Sequence, residues 1–225
     1  MIRRYSSLVI VCMVIAAASS AILASCGLFT KAEKQQLPAA PYSPLPNALD
    51  EEYLHSPSGD MAARYPKGWL HVDISVIPMQ NVLEVYTDPN RERALVLLEM
   101  PGTAEFRRNV ERDGMTALAD ESFAMKSAKL PSKLAITRAP DIYTVHDKLF
   151  ASYEYAEVSP DSLHRKENRI VVFTTGAKFY ELGMIELTQP ADPSEHIQNF
   201  RLLESVIGSL EGAAEVRALA DTTSF

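Results

Sequence analysis

Residues 169–182 read Arg-Ile-Val-Val-Phe-Thr-Thr-Gly-Ala-Lys-Phe-Tyr-Glu-Leu, and this stretch decides the fold. Two runs of β-branched and aromatic residues flank the turn sequence Thr175-Gly-Ala-Lys, a pattern that predicts a β-hairpin. The predicted strands are Arg169–Thr175 and Phe179–Leu187. An antiparallel strand pair is therefore expected near the carboxyl end of the chain.

A helix is predicted directly after this hairpin. Asp192 can cap the helix, Pro193 suits its first position, and Glu195 completes a capping-box arrangement. Apolar residues then follow at spacings of three, three, four and three: Ile197, Phe200, Leu203, Ile207 and Leu210. One narrow apolar stripe of this kind indicates that the helix packs on the sheet.

Earlier segments predict further strands and one helix. Alternating residues over 69–77 predict a strand with one buried face. The side chains expected on that face are Leu70, Val72, Ile74 and Val76. A hairpin is expected next, with strands over 82–86 and 94–100 joined by the turn Asp88-Pro-Asn. Residues 103–128 indicate a helix with a candidate interruption at Asp113-Gly114.

Three more strands are predicted over 134–138, 142–146 and 150–158. Strands joined by hairpins, with one internal and one terminal helix, predict an α+β domain. Its expected architecture is an antiparallel sheet of about six or seven strands with both helices packed on it. The predicted domain covers residues 61–212, and residues 213–225 lose the pattern and are expected to fray.

The chain ahead of this domain divides into two parts. Arg3 and Arg4 precede an apolar run from Leu8 to Leu23, which indicates a secretory signal peptide over residues 1–25. Residues 26–60 have the composition of a flexible tether with no apolar period. The prolines in it are Pro38, Pro41, Pro44, Pro46 and Pro57. The alternative is that apolar residues of this segment dock on the domain: Tyr42, Leu45, Tyr53 and Leu54.

Residues 23–26 read Leu-Ala-Ser-Cys and resemble the bacterial lipobox, in which small and aliphatic residues precede an obligatory Cys. The resemblance implies cleavage before Cys26 and acylation of its sulfur and of its new amino group. Two alternatives are an uncleaved membrane span, which needs roughly 20 apolar residues, and a secretory signal with Cys26 as a bystander. Cys12 lies in the signal, so a mature chain with Cys26 alone forms no internal disulfide. The residue after Cys26 is Gly27 rather than Asp, which resembles the pattern of lipoproteins sorted to an outer membrane, where the source has one.

The charge of the mature chain bears on its partners. Removal of residues 1–25 leaves 20 basic and 29 acidic residues, a net charge of −9 with His neutral. Phosphate backbones and anionic headgroups repel such a chain, so nucleic acid is not an expected partner. Membrane attachment is instead expected through acyl chains on Cys26, because each buried CH₂ contributes ~0.8 kcal/mol.

Three short motifs resemble the PsbP-like α/β/α sandwich family. Tyr65-Pro-Lys-Gly-Trp69 resembles its Tyr/Phe-Pro-x-Gly-Trp opening, residues 169–182 its penultimate hairpin, and Phe200–Leu210 its closing helix. The resemblance covers residues 61–210. The family includes photosystem II extrinsic subunits, a Ran-binding import factor and many bacterial lipoproteins. It therefore implies non-catalytic association with larger assemblies.

Two histidine pairs are candidate chemical sites. His71 and Asp73 share a strand face and could join a metal site, but no HExxH or His/Cys cluster supplies further ligands. A solvated face is the favoured interpretation. His146 and Asp147 are adjacent, so on a strand they point to opposite faces and do not form a catalytic pair.

Two further groups have open alternatives. His164-Arg-Lys166 is either a basic recognition loop or the polar tip of a hairpin. Trp69 is either a ligand-stacking platform or, as favoured, a core residue. Aromatic side chains on neighbouring predicted strands could line a ligand cleft or simply stabilise the sheet. They are Tyr153, Tyr155, Phe173, Phe179 and Tyr180.

The sequence favours a membrane-anchored, non-catalytic envelope lipoprotein that binds or assembles an envelope protein complex. The alternative is a carrier or sensor of a small apolar ligand held between sheet and helix, and the third hypothesis is an envelope hydrolase. No G-x-S-x-G elbow, phosphate-binding loop or dinucleotide fingerprint is present. No catalytic residue, metal or cofactor is expected, and ligand-binding residues stay unassigned.

Overall fold

The structure is a computed structural model that describes most of the chain after residue 41. The described ranges are 42–76, 81–130, 133–158, 165–175, 178–189 and 194–212. Several predictions therefore fall outside the described residues. They concern the signal peptide, Cys26, His164, the cap residues Asp192 and Pro193, and the tail 213–225.

Ten strands and three α-helices occur in the described residues. They are β1 (Leu49–His55), β2 (Met61–Pro66), β3 (Leu70–His71), β4 (Val82–Thr87), β5 (Arg93–Glu99), α1 (Ala104–Asp113), α2 (Met115–Lys129), β6 (Lys133–Val145), β7 (Lys148–Val158), β8 (Arg165–Thr174), β9 (Phe179–Glu186), α3 (Ser194–Gly208) and β10 (Glu211–Gly212). No helix among them is both long and apolar enough to cross a membrane.

The strands form two antiparallel sheets. Seven strands pair in the order β3-β4-β5-β9-β8-β7-β6, and β1-β2-β10 form a smaller sheet. The predicted α+β architecture with a sheet of about seven strands is confirmed. The hairpin of residues 169–187 lies at its centre, with Val171 opposite Leu182 and Phe173 opposite Tyr180.

Both faces of the large sheet are covered. One apolar cluster joins Leu118 of α2 to Tyr153 and Ile170 of the sheet. The other joins Val171 to Leu203 of α3 and to residues of the small sheet. Successive residues of a strand point to opposite faces, so the central strands are apolar almost throughout.

The predicted interruption of the internal helix is confirmed. Thr103 caps α1 by accepting a hydrogen bond from the amide of Phe106 at 3.2 Å. Gly114 separates α1 from α2 with a φ of 74°, a left-handed conformation that glycine adopts without strain. The break divides the predicted helix into α1, which buries Phe106, and the longer α2, which buries Met115, Leu118, Ala119 and Ser122.

The predicted strand over residues 69–77 is wrong beyond its first residues. Leu70 and His71 pair with β4, and the amide of Val72 donates to the carbonyl of Val85 at 2.9 Å. A 3₁₀ turn then occupies Ile74–Val76. The Asp73 carboxylate accepts a hydrogen bond from the amide of Ser75 at 2.9 Å, which favours a turn over a ladder. Leu70, expected on the buried face, is 52% exposed.

The prediction of a tether up to residue 60 is wrong from residue 42 onward, because the amides of Ser43 and Leu45 already donate to side chains of α3. Residues 49–55 form β1, which pairs with β2, and Leu54 is fully buried. The segment 49–55 contains no proline, so its backbone can complete a ladder although prolines flank it. The alternative that this stretch docks on the domain is confirmed for Tyr53 and Leu54, since the Tyr53 hydroxyl reaches Glu211 at 3.3 Å.

Candidate functional site

Helix α3 does not follow its predicted apolar stripe. Leu203, Ile207 and Leu210 are buried as expected. Ile197 is instead 63% exposed, and Phe200 is only half-buried. The amino-terminal half of the helix is therefore rotated away from the predicted orientation.

Polar side chains of α3 are buried in place of these apolar ones. They are Asn199, Glu204 and Ser205. The sheet supplies the reason, because Arg93 of β5 donates from Nη1 to Asn199 Oδ1 at 2.8 Å. Arg169 of β8 also places Nη1 3.5 Å from Glu204 Oε1. Buried charges need such partners, so α3 turns its polar side inward over this part of the sheet.

We call the polar layer between α3 and the sheet the polar belt. Its members are Arg93, Glu154, Arg169, Glu186, His196, Asn199 and Glu204. At its centre, Arg169 lies between Glu204 and Glu154, whose Oε1 is 3.9 Å from Arg169 Nε. Burial raises the pKa of Glu154, and the charge of Arg169 opposes that rise. The ring of Phe200 covers the Arg169 guanidinium at 5.2 Å.

Glu186 occupies the end of the polar belt near the start of α3. Its Oε2 accepts the amide of Glu167 at 2.9 Å, and its Oε1 lies 2.5 Å from His196 Nδ1. The His196 approach lacks the alignment of a hydrogen bond and acts as an ion pair when His196 is protonated. Burial raises the pKa of Glu186, while the Glu167 amide and His196 oppose the rise.

The outer side of α3 carries the apolar residues that the polar belt displaces. Ile197 and Phe200 are three residues apart, so they are neighbours on the helix surface. Phe200 packs part of its ring on the Arg169 guanidinium, and the rest of the ring is exposed beside Ile197, so the two side chains together present apolar surface to solvent. This outer face is the candidate binding surface.

A second exposed apolar group lies near the edge of the large sheet. Ile142 of β6 and Leu149 of β7 are each about half exposed, and both lie on the sheet face that α2 covers in part. The edge strand β6 carries Pro140 and an irregular register between Ile136 and Asp141. Such irregularity protects an edge against pairing with another strand.

The histidine candidates do not form reactive sites. His71 Nε2 lies 2.8 Å from Glu84 Oε2, while Asp73 holds the Ser75 amide. No group of three or more His, Cys, Asp or Glu side chains suited to a metal occurs in the described ranges. His146 and Asp147 form the two-residue turn between β6 and β7, with φ values of 47° and 64°.

The aromatic candidates do not line a common cleft. Phe173 and Tyr180 belong to the cluster under α3, while the other three belong to the cluster under α2. All five are buried. Trp69 packs partly buried against the cluster under α3, with the Arg93 guanidinium 5.9 Å from its ring, as the core interpretation predicted. Arg165 and Lys166 begin β8 rather than a loop tip.

Two carboxylates outside the polar belt, one buried and one partly buried, were also not found from the sequence. Glu181 accepts hydrogen bonds from Ser122 at 2.5 Å and from Lys126, beneath α2. The Ser122 hydroxyl also lies 2.7 Å from the Tyr153 hydroxyl. Glu181 lies in an apolar strand, and the residues opposite it on the neighbouring strands, Leu98 and Val172, are uncharged. Its partners are on α2, far away in sequence, so the sequence alone does not reveal them.

Asp60 is the second such carboxylate, in the turn between β1 and β2. Four hydroxyl groups donate to it at 2.6–2.7 Å: those of Ser56, Ser58, Thr175 and Tyr180. Partial burial acts to raise the pKa of Asp60, but these hydrogen bonds outweigh it and hold the pKa well below its ordinary value. The cluster ties the small sheet to the β8–β9 hairpin.

Comparison with known proteins concerns this arrangement of sheets and helices. No protein-family model matches the chain. No curated protein matches it either. The solution structure of cyanobacterial PsbP from Synechocystis matches with a TM-score of 0.54 and 14% identity, covering 72% of this chain and 91% of that chain. The fold is PsbP-like.

Two other solved structures are less similar. The Ran-binding protein Mog1p of Saccharomyces cerevisiae has a TM-score of 0.48 at 9% identity, covering 75% of this chain and 98% of its own. LpqN, involved in cell envelope biogenesis of Mycobacterium tuberculosis, has a TM-score of 0.42 at 12% identity, covering 73% and 91%. Both TM-scores lie below 0.5, so neither similarity carries an argument about this chain.

The motif that suggested the PsbP-like fold has a structural role here. Tyr65 of β2 stacks on Tyr86 with ring centroids 4.2 Å apart. Gly68 has a φ of 76°, which permits the turn that follows β2. Trp69 then packs against the core. The motif therefore fixes the crossing from the small sheet to the large one.

Proposed function

We propose that the mature protein is a membrane-anchored, non-catalytic envelope lipoprotein whose domain binds a protein partner. The proposed contact is the outer face of α3 around Ile197 and Phe200. The partner belongs to an envelope protein complex, and the acyl chains on Cys26 hold the domain at the membrane surface.

The exposure of Ile197 carries this proposal. The polar belt directs Asn199 and Glu204 inward, so the apolar Ile197 is left in solvent at 63% exposure. Burial of an isoleucine side chain on binding is worth ~1.5–3 kcal/mol. An aliphatic and an aromatic residue next to each other supply the apolar centre that protein interfaces have.

The lipobox supports the location. Residues 23–26 end in Cys26, and a chain of net charge −9 has no electrostatic attraction to anionic lipid. Two or more acyl chains hold a protein firmly where one does not. An envelope location therefore depends on Cys26.

Fatty-acid labelling tests the anchor. Cells that express the wild-type chain should incorporate labelled palmitate, and Cys26→Ala should abolish incorporation. Cys12→Ala is the matched control, because that thiol leaves with the signal peptide and its loss should change neither labelling nor size. Label retained in Cys26→Ala would overturn the lipoprotein assignment.

Site-specific photocrosslinking in intact cells tests the partner surface. A photoreactive residue at position 197 should give one discrete protein adduct. The same residue at Asp120, an exposed position on α2 on the opposite side of the sheet, should not. Ile197→Asp should remove the partner in co-purification while its denaturation midpoint stays near wild type. Equal adducts from both positions would contradict the surface.

The apolar-carrier alternative has less support. Leu203, Val206 and Ile207 are buried between the carboxyl half of α3 and the sheet, and the polar belt lies between the amino half of α3 and the sheet. A pocket of about 120 Å³ at the amino end of α3 is lined by Arg93, Glu186 and other polar residues. Such a lining does not favour an apolar ligand.

A further inference from the structure

A second feature of α3 concerns the segment that precedes β1. We call residues 42–48 the strap. The strap lies along the carboxyl half of α3 and continues into β1, and the carbonyl of Ala48 accepts the amide of Lys67 at 2.9 Å. Most of its side chains are exposed, so side-chain burial is not the main force that holds it.

Main-chain hydrogen bonds hold the strap to α3. The amide of Leu45 donates to Ser205 Oγ at 2.7 Å, and the amide of Ser43 donates to Glu204 Oε2 at 2.9 Å. Arg201 Nε donates to the carbonyl of Ser43 at 2.9 Å. The Ser205 hydroxyl also lies 3.3 Å from the carbonyl of Leu45. Ser43 therefore presents both backbone groups to the helix, and Leu45 presents its amide. The single Ser205 proton has a nearer acceptor in the carbonyl of Arg201, at 3.0 Å.

The strap residues that bond to α3, Ser43 and Leu45, are two residues apart, which is the spacing of backbone groups along one edge of an extended strand. Alternate residues of an extended chain direct their N–H and C=O groups the same way. The three α3 side chains that bond to the strap backbone, at positions 201, 204 and 205, share one face of the helix because they are three and four residues apart. Side chains from about one turn of the helix thus bond to backbone groups of the strap, as the backbone of a neighbouring strand would.

The strap sequence suits this recognition. Pro44 and Pro46 alternate with Ser43 and Leu45, the strap residues that bond to α3. Neither proline has an N–H that would need a partner. Proline also holds itself and the residue before it in an extended conformation, which lowers the entropy lost on docking. Contacts that do not involve the strap orient two of the helix side chains: Glu204 Oε1 lies 3.5 Å from Arg169 Nη1, and the Ser205 hydroxyl donates to the carbonyl of Arg201 at 3.0 Å.

Gly208 adds a steric condition at the end of the helix. A Cβ atom at this position would overlap the hydroxyl of Tyr42. The absence of a side chain therefore leaves room for the strap to lie against the last turn of α3.

We propose that Arg201, Glu204 and Ser205 form a binding site for an extended peptide main chain with proline at alternate positions. Residues 43–46 of the same chain occupy it. This inference goes beyond the proposed function and depends neither on acylation of Cys26 nor on a partner at Ile197.

Amide hydrogen exchange on the full mature protein tests the site. In wild type, the Ser43 and Leu45 amides should exchange at least about tenfold more slowly than in a free peptide of residues 42–48. Leu45→Pro removes one donor and should release the Ser43 amide to the free-peptide rate. Leu45→Ala keeps the donor and should preserve protection at Ser43. Unchanged protection at Val171 in β8 verifies that each variant is folded.

A peptide added in trans gives the second arm. Residues 42–48 as a synthetic peptide, at concentrations on the order of millimolar, should shift the NMR signals of Ser205 and of the Arg201 side chain in Leu45→Pro. The same peptide with proline at position 45 should leave the NMR signals of Ser205 and Arg201 unchanged. A wild-type strap that exchanges at the free-peptide rate would overturn the proposal, as would a peptide that leaves both signals unmoved.

Discussion

Leu203→Ala should destabilise the domain strongly, whereas Ile197→Ala should not. Leu203 is fully buried in the cluster between α3 and the sheet. The substitution removes three carbon atoms beyond Cβ, a transfer loss of roughly 2.4 kcal/mol at ~0.8 kcal/mol each. The cavity left behind adds to this, so the expected loss in the free energy of unfolding is ~2–5 kcal/mol.

Ile197 and Phe200 provide graded controls on the same helix. Ile197→Ala changes a side chain that is mostly in water, so the expected change is within ~0.5 kcal/mol. Phe200→Ala removes a half-buried ring and its contact with Arg169, which is worth about 0.5–2 kcal/mol beyond the burial. The loss in the free energy of unfolding for Phe200→Ala should therefore lie between the losses for Ile197→Ala and Leu203→Ala.

Urea denaturation of the three variants beside wild type measures these differences. With slopes of ~1–3 kcal/mol/M, a loss of about 3 kcal/mol moves the midpoint by roughly 1–3 M. Equal midpoints for Leu203→Ala and wild type would refute the placement of α3. So would an Ile197→Ala midpoint as low as that of Leu203→Ala, because position 197 would then be part of the core.

Three other outcomes follow from the buried polar groups and the domain start. Asp60→Asn should lower stability at neutral pH, and the gap to wild type should close as pH falls below about 3.8 toward the lowered folded-state pKa, measured by unfolding at several pH values. Ser122→Ala should cost ~1–3 kcal/mol in thermal or chemical unfolding, because Glu181 and Tyr153 lose a buried partner, whereas the exposed Ser127→Ala should stay within ~0.5 kcal/mol. Limited trypsin digestion should cut at Lys31 and leave a fragment that retains β1, and a fragment beginning after Arg64 would contradict the domain start.

Local sequence signals predicted the parts of the fold that depend on nearby residues. The hairpin of residues 169–187 needed only two apolar runs and a turn, and the break at Gly114 needed only a residue that tolerates positive φ. The strand predicted over 69–77 was wrong because Asp73 and Ser75 form a local turn. The alternation of apolar residues there has the same period as a strand but not its hydrogen bonds.

The candidate site depends on residues distant in sequence and was not predictable in the same way. The apolar spacing of α3 correctly placed Leu203 and Ile207 in the core. It failed at Ile197 because Arg93 and Arg169, on two different strands, attract Asn199 and Glu204. Helical periodicity says which residues share a face, but the partner layer decides which face is buried.

The docked strap also sets how far the domain can travel from a membrane. With the anchor at Cys26 as proposed, only sixteen residue steps separate the lipid from Tyr42. At no more than ~3.6 Å per residue, the fully stretched distance is about 58 Å. A tether free up to Leu49, the first residue of β1, would allow about 83 Å by the same measure. The strap thus shortens by roughly a third the radius within which the domain can meet a partner, and it favours encounters with proteins held close to the same leaflet.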